Sequence, residues 1–98
     1  MTSVPAAVLE AALDAAASLS GMAPAEISVL RAEVVTWPDG GLGCPEPGVM
    51  YAQVLVAGYW VVVNAGDRSY DLRASLDTQF KLCPAGDGTP PVPDPDIY

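Results

Sequence analysis

A chain of 98 residues holds one domain and buries about two-thirds of the surface its unfolded form exposes. Four basic against twelve acidic residues give a net charge of −8, a field that repels phosphates and anionic lipid and favours a basic protein partner over nucleic acid or membrane. The absence of histidine removes the commonest general base, the usual serine and cysteine triads and nearly every zinc site that is not all-cysteine, so we expect no enzyme, no cofactor and no metal.

The first ten residues, MTSVPAAVLE, lack a basic region followed by an apolar core, so they do not read as a signal peptide. No apolar run approaches the ~20 residues of a membrane span. The expected location is therefore cytoplasmic. Ser3 as cap and Pro5 in the first turn predict a helix over 5–20, with Leu9, Ala12, Leu13 and Ala16 on one apolar face. Gly21 is a natural stop and Pro24 prevents resumption. Residues 27–37, ISVLRAEVVTW, are rich in β-branched side chains and read as a strand. Leu30, Ala32 and Val34 share one face while Val35 and Trp37 take the other, which predicts a bulge near Val34.

The next stretch, WPDGGLGCPEPG over 37–48, is a double turn. Pro38, Asp39, Gly40 and Gly41 have turn chemistry, and Pro45 and Pro47 remove two backbone donors, so the segment cannot lie inside a sheet. Trp37 and Leu42 are apolar anchors. Two readings stand: a rigid connection, or a preorganised recognition loop with Trp37, Pro38, Asp39 and Leu42 as contacts. Cys44 and Cys83 can close one disulfide between this loop and the last strand, or stand as thiols.

Residues 50–63, MYAQVLVAGYWVVV, are the apolar heart of the predicted sheet, with either a kink or a hairpin at Gly58. Residues 64–67 signal a hairpin, followed by alternating strands over 69–73 and 79–83. Residues 84–98 hold five prolines and three aspartates and predict an extended, mostly disordered tail after a single domain over 1–83. The fold class is α+β: one helix packed on an antiparallel sheet of three to five strands. An uncovered sheet edge or face would suit a homo-oligomer.

Carboxylates are the remaining chemical candidates. Asp39 and Glu46 share the loop, and Asp67 and Asp71 flank the hairpin. A carboxylate pair for glycoside cleavage needs a deep pocket, which a chain this small does not readily enclose. Gly40, Gly41 and Gly43 lack the following helix that a phosphate-binding loop requires.

The order from the helix through WPDGGLGCPEPGVMYAQ to AGYWVVVNAGDRSYDL resembles an uncharacterised bacterial family with a Trp-Pro-Asp…Leu-Gly-Cys-Pro…Pro-Gly core over roughly residues 6–83. Many of its members look secreted or lipoprotein-like, and the resemblance leaves secretion open here. The run from Gln53 to Gly58, QVLVAG, is also similar to the cystatins, which set one helix on an antiparallel sheet and present a Gln-Val-Val-Ala-Gly hairpin to papain-type cysteine proteases. That similarity implies Gln53 and Gly58 as inhibitory contacts and Trp37-Pro38 as a neighbouring wedge. Three functions follow as expectations: a non-enzymatic protein-binding module built on the 37–48 loop, a cysteine-protease inhibitor, and a structural homodimer.

Overall fold

The structure is a computed structural model describing residues 4–44, 48–83 and 88–92. Helix α1 (Ala6–Ser20) starts at Pro5, whose extended backbone turns its carbonyl to the Val8 and Leu9 amides at 3.0 and 3.1 Å. No side chain caps it, and Ser3 lies outside the described residues. Its C-terminus is closed by Gly21, which takes the left-handed conformation (φ 77°) and donates its amide to the Ala17 carbonyl at 2.9 Å. Val8, Ala12 and Ala16 are buried, with Leu9, Leu13 and Ala17 half-buried beside them. The alanines matter most, because their small side chains let the helix settle close to the sheet. No helix among the described residues is long and apolar enough to cross a membrane.

A 3₁₀ turn (Pro24–Glu26) leads into four strands: β1 (Ile27–Trp37), β2 (Val56–Ala65), β3 (Arg68–Ser75) and β4 (Lys81–Cys83). They form one antiparallel sheet in the order β1-β2-β3-β4, so the protein is an α+β fold with a helix on one sheet face. Ile27, Val61, Val63, Ala65, Tyr70 and Leu72 meet Ala12 and Ala16 in the core. Gly66 and Asp67 make the tight hairpin turn, with Gly66 at φ 69°.

Four expectations need correction. The bulge in β1 lies at Leu30, since Val29 pairs with Val63 and Arg31 with Val62, while Val34 pairs regularly with Tyr59. That extra residue lets Ile27 face the helix while Arg31, Glu33, Val35 and Trp37 face away from it. Gly58 is neither kink nor hairpin: β2 runs straight through it, paired with Val35 on one side and Ser75 on the other. Residues 50–55 precede β2 and are not strand. Finally, residues 88–92 are docked: the Thr89 amide donates to the Gly43 carbonyl at 2.7 Å and the Val92 amide to the Thr36 carbonyl at 2.8 Å. Pro90 and Pro91 have no amide hydrogen, so Thr89 and Val92 supply the donors there. The expected tail positions 84–87 and 93–98 lie outside the described residues.

Candidate functional site

Strand alternation places Arg31, Glu33, Val35 and Trp37 of β1, Trp60 of β2, Asp71 and Arg73 of β3, and Lys81 and Cys83 of β4 on the face opposite the helix. The loop over 38–44 folds back across this face. Asp39 organises it: its Oδ1 accepts the Gly41 amide at 2.9 Å and the Gly43 amide at 3.2 Å, and its carbonyl accepts the Leu42 amide. Leu42 and Gly43 both have positive φ (59° and 70°), a tight reversal that buries the leucine side chain under the loop.

Arg73 is the centre of this second, polar core. Only 2 % of it is exposed. Its Nε and one terminal nitrogen donate to the two oxygens of Asp71, each at 3.1 Å. The other terminal nitrogen donates to the Leu42 carbonyl at 3.0 Å and the Thr89 carbonyl at 2.7 Å. The guanidinium also lies 4.6 Å from the Trp37 ring centroid and 5.6 Å from that of Trp60, and the two indoles meet edge-on at 6.0 Å. The indole nitrogens are satisfied in turn, Trp60 by Asp71 Oδ1 at 2.8 Å and Trp37 by the Ala74 carbonyl at 3.2 Å. A Cβ on Gly43 or Gly88 would come within 2.8 or 2.6 Å of the Arg73 nitrogens, so glycine at both positions lets the loop and the 88–92 segment close on the cation.

The Cys44–Cys83 disulfide is formed and fastens the end of the loop to β4 across 39 positions of sequence. Beside it, Lys81 Nζ donates to the Cys44 carbonyl at 2.9 Å and lies 5.5 Å from the centroid of the Tyr51 ring. Replacing both cysteines by serine is expected to cost about 2–4 kcal/mol of unfolding free energy, read as a lower urea midpoint in the variant and in reduced wild type alike. Equal midpoints in oxidised and reduced protein would show that the loop is held without the bond.

This constellation is a brace, because its cation and carboxylate already face each other and the surrounding carbonyls. What it braces is the ribbon over 48–55. The Gly40 amide donates to the Ala52 carbonyl at 2.9 Å, and Tyr51 lies over Gly41. Between and beyond those ties Met50 is 97 % exposed, Leu55 67 % and Val54 57 %, with Val49 also open.

The six predicted contact residues are therefore divided. Trp37 and Leu42 are buried under the loop they were expected to present, and Gly58 is buried within the sheet. Pro38 and Asp39 are half-buried, and Asp39 is occupied by loop amides. Gln53 alone is exposed, on the ribbon. Met50, Val54 and Leu55, expected inside the sheet from their shared apolar character with the strand that follows, stand exposed before it. Reading the sequence missed Arg73, whose signal was an arginine two positions after an aspartate and flanked by Leu72 and Ala74.

No curated protein and no solved structure matches the chain. Residues 9–83 match the domain of unknown function DUF8738, from the α1 apolar face to the second cysteine of the disulfide, and the chain belongs to that family.

Proposed function

We propose that the protein is a non-enzymatic protein-binding module whose contact element is the ribbon over 48–55. The observation that carries this reading is the exposure of Val49, Met50, Val54 and Leu55 together on one backbone segment tied down at Ala52 and Tyr51. Single exposed apolar side chains are ordinary, whereas several adjacent ones on a fixed segment mark an interaction surface. The brace beneath supports the reading, since a segment already held in place loses less entropy on binding. The net charge of −8 favours a partner with a basic rim around an apolar centre. Inhibition of cysteine proteases through a hairpin tip at Gly58 has no such support, because a buried glycine between two paired strands cannot enter a cleft.

Selection of displayed random peptides on the wild-type protein, with counter-selection on M50D/L55D, tests the assignment. Recovered peptides are expected to combine aliphatic or aromatic anchors with basic residues and to bind the double variant at least about tenfold more weakly. The variant should unfold near the wild-type midpoint, because both side chains are mostly exposed. Peptides that bind both proteins equally would remove the ribbon as the contact element.

A further inference from the structure

Strand β1 is an edge of the sheet, and among the described residues its outer side is paired only where Thr36 meets Val92. The Thr36 carbonyl points outward to accept the Val92 amide, so by strand alternation Val34 and Ala32 also direct their amide and carbonyl groups away from β2. An open row of backbone groups of this kind is a template for another strand. On the same strand Arg31 and Glu33 stand two positions apart on one face, in contact at 3.0 Å, with nearly half of each side chain exposed. Arg31 is further oriented by stacking over Trp60, 4.5 Å from its ring centroid.

We propose that this edge pairs with the same edge of a second copy, antiparallel about a two-fold axis at Ala32, to give a continuous eight-stranded sheet. The register follows from charge and hydrogen-bond parity together. A two-fold at Ala32 sets Arg31 of each copy opposite Glu33 of the other, so two ion pairs form across the axis. It pairs Ala32 with Ala32 through their outward amides and carbonyls, and the regular pairing ends at the bulge at Leu30. Shifting the axis to Glu33 would oppose Glu33 to itself. Shifting it to Val34 would require the Thr36 carbonyl that Val92 occupies. The surface is distinct from the ribbon and does not depend on that reading.

Sedimentation of the full chain from ~1 µM to ~1 mM tests the proposal, with a two-chain species expected within that range. R31E and E33R each replace cross-axis attraction with repulsion and should weaken the dimer about tenfold or more, whereas R31E/E33R restores opposite charges and should return it close to wild type. A32P removes an amide hydrogen that points outward and should abolish the dimer while the folded monomer remains. A one-chain mass at every concentration overturns the proposal. If that monomer also protects the Ala32 and Val34 amides from exchange, the edge is covered from within the chain. Loss of the dimer in M50D/L55D but not in R31E would assign association to the ribbon and overturn it equally.

Discussion

Arg73→Ala is expected to lower the unfolding free energy by about 3–5 kcal/mol, because it removes the buried cation of a part-buried ion pair and leaves two loop carbonyls without a donor. The guanidinium holds four protein oxygens at once: both of Asp71 and the carbonyls of Leu42 and Thr89. Alanine would strand the two carbonyls beneath the loop and leave Asp71 with only the Trp60 indole among these donors. A neutral buried acceptor without a partner costs about 1–3 kcal/mol, and a carboxylate more. The cavity between the two indoles adds to that loss. Lysine keeps the charge but lacks the planar fork that meets both Asp71 oxygens, so R73K should recover only part of the stability. Urea unfolding followed by tryptophan fluorescence measures the loss, and exchange of the Thr89 amide reports whether the 88–92 segment has come away. An R73A protein within about 1 kcal/mol of wild type, with Thr89 still protected, would mean that the disulfide and the Trp37 anchor hold the loop without the cation.

The contrast between the two sheet faces shows what the linear chain discloses. The helix side was legible because its signals are local and periodic: alanine and leucine at helical spacing, Gly21 in the left-handed cap, Gly66-Asp67 between two alternating strands. The opposite face is assembled from residues far apart in sequence. Arg73 meets Leu42 across 31 positions and Thr89 across 16, and no periodicity records such contacts. The loop was legible as a double turn, since Asp39 and the glycines after it carry turn chemistry wherever they occur. Which way it faced was not. A tryptophan beside a turn suits a binding contact or a buried anchor equally well, and the choice depends on whether a guanidinium lies beneath it. The ribbon was hidden for a different reason: Val54 and Leu55 continue without a break into β2, and only the end of β1 at Trp37, paired with Val56, determines where the strand begins.

Gly58→Val is expected to be the most damaging substitution in the sheet outside the core, costing more than about 3 kcal/mol. A Cβ at this position overlaps the Ala74 carbonyl oxygen and approaches the Ser75 Cα to 2.9 Å. These are backbone atoms of the neighbouring strand, so no side-chain rotation relieves them and β2 and β3 must separate. The same Ala74 carbonyl accepts the Trp37 indole N–H, so moving it loosens the anchor under the loop as well. Glycine is thus required here by close strand approach, in a conformation that any residue could adopt. Ala57→Val provides the contrast. Ala57 precedes Gly58 in the same strand but is exposed, and its substitution should stay within about 0.5 kcal/mol of wild type. Thermal unfolding of the pair, with papain inhibition assayed in parallel, separates structural from functional need for Gly58. Collapse of the G58V fold with a neutral A57V assigns the glycine to strand packing. A G58V protein that stays folded yet loses an inhibition the wild type shows would overturn that assignment and place Gly58 at a protease contact.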